Sequence, residues 1–129
     1  AFTTEQGLGE VLPAPTDVVL DREHHLVVQP DVLFVSAARR GIIDGHVEGP
    51  PDLAIEVLSP RPRIGMIEEK VTWYARYGVR ECWLVDVRHQ WVEVIEPPST
   101  TPPRMFQGPE PLRSVVLPSW TIPVEQIFT

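Results

Sequence analysis

Cysteine, lysine and long apolar runs are nearly missing from this sequence of 129 residues. Cys82 is the only cysteine, which excludes an internal disulfide and predicts that its side chain packs as a small hydrophobe. No apolar run reaches the roughly 20 residues that a membrane-spanning helix needs, and no secretory signal opens the chain. We therefore expect a soluble protein in a reducing, cytoplasmic setting.

Positive charge is also scarce in this chain. It has 11 lysine and arginine residues against 18 aspartate and glutamate residues, which gives a net charge of -7. This balance argues against a broad phosphate-binding surface, so any nucleic-acid binding would be local, metal-assisted or supplied by a partner subunit. Lys70 is the only lysine, and the other basic residues are arginines.

Hydrophobic periodicity predicts a single mixed α/β domain over residues 1–129. An i, i+4, i+7 pattern predicts a helix from Met66 to Tyr77, which Gly78 ends. With strands at 52–58 and 82–87 this helix forms a strand-helix-strand unit with a right-handed parallel crossover, and a strand at 91–96 adds a hairpin. Further strands are predicted at 18–20, 26–28 and 32–35, short ones near 105–106 and 114–117, a long loop at 36–51, and a helix or turn at 123–128.

Two acidic residues lie within or directly before predicted apolar strands. Glu56 lies inside the most apolar strand, where an ionised carboxylate is costly unless a cation or a hydrogen-bond donor contacts it. Asp31 directly precedes a second apolar strand. If the two strands are neighbours, both carboxylates can converge on one hard divalent cation, which prefers oxygen ligands.

Lys70 lies three residues after Ile67 and four before Tyr74, on the helix stripe that must face the sheet. An ammonium group is expensive to bury alone. Beside Asp31, Glu56 and a bound phosphate, it would stabilise developing negative charge or help to position a water. We therefore predict a catalytic role for Lys70.

Four segments in this order resemble the successive motifs of the Uma-two family, which is described as restriction-endonuclease-like proteins of the PD-(D/E)xK nuclease superfamily. The segments are Pro30-Asp31-Val32, residues 51–60 (PDLAIEVLSP), Lys70-x-x-x-Tyr74, and residues 78–86 (GVRECWLVD). The resemblance covers about residues 17–96 and is specific in order and spacing. It implies a restriction-endonuclease-like α/β fold, a mixed β-sheet with one main crossover helix, as the C-terminal part of a longer family fold.

The resemblance also implies functional roles. Asp31 matches the aspartate of the PD motif and Glu56 the acidic residue of the second motif, so both would hold Mg²⁺ or Mn²⁺, together with the backbone carbonyl of Val57. Leu58 stands where the family pattern has a lysine, and the resemblance moves that role to Lys70. We find no match in this chain to the family's N-terminal helices and its first strand, which carries a further acidic residue.

Simpler explanations compete at several of these positions. Glu56 could be a buried acid that pairs with Arg61 or Arg63. Lys70 could extend to the helix edge with its stem packed on a tyrosine, and Asp52 fits a strand-start residue better than a metal ligand. In the loop at 36–51, Arg39 and Arg40 could contact phosphate or simply be solvated, and the histidines His24, His25, His46 and His89 lack zinc-ligand spacing.

These features lead to one main functional hypothesis, a divalent-metal-dependent phosphodiester hydrolase that acts on DNA as an endonuclease. Asp31 and Glu56 would hold the metal, and Lys70 would act at the phosphate. The alternatives are a catalytically inactive nuclease-fold module that serves in assembly or regulation, and a hydrolase of a smaller phosphoester. A homodimer is expected, because apolar edge strands and exposed tryptophans favour self-association.

Overall fold

A computed structural model describes residues 7–58, 64–96 and 102–128. Its strands are β1 (Gly9–Pro13), β2 (Val18–Asp21), β3 (Leu26–Val28), β4 (Val32–Ser36), β5 (Val47–Glu48), β6 (Leu53–Leu58), β7 (Glu81–Asp86), β8 (Trp91–Ile95) and β9 (Arg104–Gln107). Helix α1 spans Ile64–Tyr77, and 3-10 helices span Ala37–Ile42 and Val124–Phe128. The strands form a six-stranded sheet in the order β1-β4-β6-β7-β8-β9 and a three-stranded sheet in the order β3-β2-β5.

The predicted strand-helix-strand unit is confirmed in β6, α1 and β7. Strands β6 and β7 are parallel, with Glu56 opposite Leu84, and β8 returns antiparallel to β7 as the predicted hairpin. Gly78 ends the helix at a positive φ of 92°, which glycine adopts without strain. The amide of Val79 then bonds the Tyr74 carbonyl at 2.9 Å, the closing bond of a Schellman turn. The large sheet is therefore mixed, because its other pairs are antiparallel.

The large sheet separates two hydrophobic cores. The core on the helix side joins α1 and the small sheet to the large sheet through buried residues that include Val18, Val35, Val47, Ala54, Tyr74 and Cys82. The core on the opposite side includes Phe34, Leu53, Trp83, Val94, Leu112, Leu117 and Val124. Because side chains alternate along a strand, Glu56 faces the helix and Val57 faces the other side. Cys82 is fully buried, in agreement with its predicted packing role.

The C-terminal segment is fixed to the sheet by a buried acid on β7. Glu81 accepts hydrogen bonds from the Trp83 ring nitrogen at 2.7 Å, from the Val115 amide at 2.9 Å and from the Ser114 hydroxyl. The Trp83 ring also stacks on Trp120, with ring centroids 5.1 Å apart. The segment that follows β9 is thus bound by polar as well as apolar contacts.

Two predicted segments differ from the structure. Residues 114–117 do not form a strand, because the Ser114 hydroxyl accepts the amides of Val116 and Leu117 and turns the backbone. The loop at 36–51 contains the first 3-10 helix and strand β5, which pairs in parallel with β2. The short strand near 105–106 and the helical turn at the C-terminal end are confirmed by β9 and the second 3-10 helix.

Strand β1 was not predicted. It pairs antiparallel with β4, from Gly9 opposite Ser36 to Pro13 opposite Val32. A Cβ at Gly9 would lie 2.1 Å from the Val35 carbonyl oxygen, so the close approach of the two strands requires glycine there.

Throughout the described ranges, no helix is both long enough and apolar enough to cross a membrane.

Candidate functional site

Asp31 directly precedes β4, and Glu56 lies on β6, the neighbouring strand of the large sheet. Strand β4 pairs antiparallel with β6, with Val32 opposite Ile55, so the next step of this register places Asp31 opposite Glu56. Residues directly opposite each other in such a pair point to the same face, with Cβ atoms about 5 Å apart. The structure therefore brings the two predicted acids to the same end of the sheet.

Asp31 also caps the end of the ladder. Its Oδ2 accepts a hydrogen bond of 2.7 Å from the Val57 amide. The N–H and the C=O of one strand residue point to the same side, so the Val57 carbonyl is directed toward the end of β4 as well. The register continues to Pro30 opposite this carbonyl, and proline has no N–H to donate to it. The Val57 carbonyl thus faces the space beside Asp31.

Two hydrogen-bond donors on helix α1 contact the Glu56 carboxylate. It is 3% exposed, its Oε1 lies 3.1 Å from the Lys70 Nζ, and its Oε2 accepts a hydrogen bond of 2.6 Å from the Tyr74 hydroxyl. Lys70 and Tyr74 are one helical turn apart, so they project from the same stripe of α1. The lysine side chain is 22% exposed and turns toward the sheet. Arg61 and Arg63, the alternative partners of Glu56, lie outside the described residues.

Opposing effects act on the pKa of the Glu56 carboxyl. Burial raises the pKa of the Glu56 carboxyl, whereas the Tyr74 hydrogen bond and the Lys70 ammonium lower it, and the Asp31 carboxylate raises it again. Burial and the nearby Glu56 carboxylate raise the pKa of Tyr74, so its hydroxyl remains a proton donor. On balance the pKa of the Glu56 carboxyl is raised. An additional positive charge beside this carboxylate would therefore be favourable.

The raised pKa of Glu56 predicts a pH-dependent loss of stability without metal. The folded chain binds the Glu56 carboxyl proton more tightly than the unfolded chain, in which the pKa of a glutamate is about 4.3. The free energy of unfolding therefore falls as the pH rises from that value through the raised pKa of the folded chain, and then levels off. For one proton the slope cannot exceed about 1.4 kcal/mol per pH unit. Urea unfolding in EDTA, from pH 4 to 8, should show this fall for the wild type relative to Glu56→Gln. If the free energy of unfolding changed with pH in the same way in both proteins, the raised pKa of Glu56 would be contradicted.

The ligand set fits a hard divalent cation. Asp31 and Glu56 offer carboxylate oxygens, and Val57 offers a carbonyl oxygen; Oδ1 of Asp31 has no hydrogen-bond donor within the described ranges. In the part of the chain that the structure describes, no three histidine, cysteine or acidic side chains come together as a metal cluster. Two carboxylates with a backbone oxygen and waters are what Mg²⁺ accepts, because it dehydrates reluctantly. The oxygen atoms that Asp31, Glu56 and Val57 offer are thus of the kind that Mg²⁺ or Mn²⁺ binds.

The other charged candidates have structural partners. Asp52 is 1% exposed and accepts a 2.7 Å hydrogen bond from the Ser36 amide, and its carboxylate lies 3.2 Å from Arg39 and 3.5 Å from Arg80. This agrees with a strand-start residue. Arg40 pairs with Glu10 at 3.3 Å. The two arginines of the loop are therefore engaged with acids of this chain rather than only solvated.

Sequence reasoning missed the part that Tyr74 plays. We assigned it to the packed stripe of the helix and to the Lys70-x-x-x-Tyr74 motif, yet its hydroxyl is the shortest contact of the Glu56 carboxylate in the described structure. A tyrosine one turn after the lysine was the available signal, since it places a second donor over the same acid. Three of the four histidines each pair with one acid: His24 with Asp21, His46 with Glu48 and His89 with Asp86.

The fold that holds these residues is that of a restriction-endonuclease-like α/β protein. A solved structure with the same architecture is described as "a putative nuclease belonging to DUF820" from Anabaena variabilis. Its TM-score is 0.81 at 18% sequence identity, and the match covers 98% of this chain and 71% of that chain. The predicted fold class is therefore confirmed.

The family follows from the sequence comparison. The family model Uma2, described as "Putative restriction endonuclease", matches residues 1–125, and the chain belongs to this family. The Uma-two resemblance is confirmed, and a nuclease-like function is supported. The match begins earlier than the resemblance at residues 17–96 and includes strand β1 with its acidic residue Glu10. A search of the curated proteins found no match.

Proposed function

We propose that this protein is a divalent-metal-dependent phosphodiester hydrolase that cleaves DNA. The observation that carries the proposal is the meeting of Asp31, Glu56 and Lys70 at one end of the large sheet. The Uma2 membership and the nuclease fold support the same reaction class. Asp31, Glu56 and the Val57 carbonyl would hold Mg²⁺ or Mn²⁺, which would supply an activated water and neutralise charge on the phosphate.

The residues of the chain have distinct tasks in this proposal. Tyr74 and Lys70 each donate to a different oxygen of Glu56, which fixes the plane of the carboxylate and leaves further lone pairs on both oxygens. The Val57 amide holds one oxygen of Asp31 in the same way. Because both carboxylates are oriented beforehand, little conformational freedom is lost when they bind a cation.

Lys70 would act on the substrate directly. One of its three ammonium protons is directed to Glu56 at 3.1 Å, and the other two can be donated to a phosphate oxygen. The partly exposed side chain allows this contact without exposing Glu56. A positive charge at this point stabilises the negative charge that develops on the phosphate in the transition state.

The proposal predicts metal-dependent cleavage by the purified chain. Supercoiled and linear DNA should be cleaved in Mg²⁺ or Mn²⁺, the reaction should stop in EDTA, and addition of Mg²⁺ in excess of EDTA should restore it. Gel electrophoresis of labelled DNA checks all three outcomes. DNA that stays intact over the full range of Mg²⁺ and Mn²⁺ concentrations would contradict the proposal.

The net charge of -7 favours a second candidate, a catalytically inactive nuclease-fold module that serves in assembly or regulation. An acidic chain repels the DNA backbone and gains little from long-range electrostatic attraction. Binding of Mg²⁺ without cleavage of any DNA form would support this candidate. The homodimeric state and the cytoplasmic location stay predictions.

A further inference from the structure

The turn between β7 and β8 lies at the same end of the large sheet as the candidate site. Two residues after Glu56, Leu58 is opposite Asp86, the last residue of β7. Residues two apart on a strand face the same side, so Asp86 shares the helix-facing side of the sheet with Glu56. With about 4.8 Å between strands and about 3.3 Å per residue, the Cα atoms of Glu56 and Asp86 are about 8 Å apart. Residues 87–90, which form the β7–β8 turn, follow directly.

Asp86 holds this turn in one conformation. Its Oδ1 accepts a hydrogen bond of 2.9 Å from the His89 backbone amide, and its Oδ2 lies 2.9 Å from the His89 Nδ1. The His89 ring stacks on Trp91, with ring centroids 4.5 Å apart. Trp91 is opposite Asp86, so this stack also lies on the helix-facing side. The turn therefore has a fixed shape beside the site, and little conformational freedom is lost when it binds a ligand.

The β7–β8 turn carries Arg88, which is exposed and forms no ion pair with a described residue. Arg76 and Arg113 are also exposed and without such a partner. They lie near the opposite end of β7, where α1 ends and where Ser114 contacts Glu81. Most other arginines of the described ranges are ion-paired within the chain: Arg22 with Glu48, Arg39 and Arg80 with Asp52, Arg40 with Glu10, and Arg104 with Glu96. In the part of the chain that the structure describes, Arg88 is therefore the unpaired arginine beside the site.

The charges near the site favour a path for DNA along the end of the sheet. Glu93 on β8 is opposite Leu84, level with Glu56 on the helix-facing side, and its carboxylate repels a phosphate. A path from Lys70 to Arg88 avoids this acid. One strand of DNA advances about 3.4 Å per nucleotide, so about 8 Å corresponds to two or three nucleotides. A guanidinium at that distance can form charge-assisted, bidentate hydrogen bonds with a phosphate.

We infer that Arg88 binds a phosphate of the substrate strand about two or three nucleotides from the scissile phosphate. The inference rests on the proposed function for the identity of the site. Arg88 is a binding residue in this arrangement, because its phosphate is not the one that reacts. A local contact of this kind supplies affinity that a chain with a net charge of -7 does not obtain from long-range attraction.

The salt dependence of DNA binding tests this inference. Fluorescence anisotropy of the full chain in Ca²⁺, which also takes oxygen ligands, measures the affinity for a labelled oligonucleotide, as single strand and as duplex. A gel confirms that the DNA stays intact. For the form that binds more tightly, Arg88→Met should weaken binding about tenfold at low salt, the scale of a charged hydrogen bond. The slope of log affinity against log salt concentration should fall by about one.

The two remote arginines provide matched controls. Arg76→Met and Arg113→Met remove the same charge at the other end of the sheet, and salt screens this distance, so affinity should stay within about twofold of the wild type. Arg88→Lys keeps the charge and should keep the salt slope. An unchanged affinity and slope in Arg88→Met would overturn the inference. Equal losses in all three methionine variants would also overturn it, because only the net charge would then matter.

Cleavage kinetics in Mg²⁺ separate the inference from the proposed function. Arg88→Met should raise the KM for DNA about tenfold and leave kcat unchanged, because this contact binds substrate and transition state equally. DNA binding that depends on Arg88, without cleavage by the wild type, would refute the hydrolase and keep the phosphate contact. Cleavage with the same KM in Arg88→Met would keep the hydrolase and refute the inference. An absence of binding to either form of DNA would refute the inference as well.

Discussion

Replacing Glu56 by glutamine should lower the rate of Mg²⁺-dependent DNA cleavage by roughly a thousandfold. The substitution removes one of two carboxylates that converge at the strand ends and leaves the shape of the side chain unchanged. A thousandfold loss corresponds to about 4 kcal/mol, which is the scale expected for the loss of a metal ligand. Initial rates on labelled DNA over a range of Mg²⁺ concentrations measure the effect.

The fold should survive this substitution. The glutamine oxygen can still accept the hydrogen bond from the Tyr74 hydroxyl, and the amide group removes the cost of a buried charge. Glu69→Gln, at an exposed position of the same helix, is the matched control and should retain full activity. Near-normal cleavage by Glu56→Gln would show that the reaction does not depend on this carboxylate.

Lys70→Met should reduce the cleavage rate at saturating Mg²⁺ by roughly a hundredfold to a thousandfold. Methionine keeps most of the apolar stem of lysine but has no charge or donor for the phosphate, and loss of one preorganised donor has this magnitude in other enzymes. Single-turnover kinetics should show the loss in the rate rather than in substrate affinity alone. A rate within a few-fold of the wild type would restrict Lys70 to the role of a structural partner of Glu56.

Two further variants sharpen the test of Lys70. Arg76→Met removes a basic residue near the end of α1 that forms no ion pair with a described residue, and it should leave the rate unchanged. Lys70→Arg restores the charge with a planar group that cannot occupy the same position as an ammonium. We therefore expect partial recovery of the rate in Lys70→Arg.

The central part of the fold was predictable because its signals are local and strong. Strand β6 is a continuous apolar run, α1 has a clear helical period, and Gly78 marks the helix end. The chemical argument about Glu56 was equally local, since a carboxylate within such a run requires a partner. Asp31 and Glu56 come together only because β4 and β6 are neighbours. The sequence did not predict this adjacency, which the argument for a shared cation had to assume.

Other features depend on contacts between residues far apart in the chain. Strand β1 has only two apolar residues between Gly9 and Pro13, and its pairing with β4 determines its conformation. Ser114 prevents a strand at 114–117 because its hydroxyl accepts hydrogen bonds from the Val116 and Leu117 amides and donates one to Glu81. The Tyr74 hydroxyl meets Glu56 only after the helix has packed on the sheet. Local patterns do not contain this information.

A crystal of the protein soaked in Mn²⁺ tests the central claim most directly, because anomalous scattering identifies the ion. The account predicts one peak within about 2.0–2.6 Å of carboxylate oxygens of both Asp31 and Glu56 and of the Val57 carbonyl, with waters completing the coordination. An anomalous map without a peak between these two acids, at Mn²⁺ concentrations that support cleavage, would contradict it.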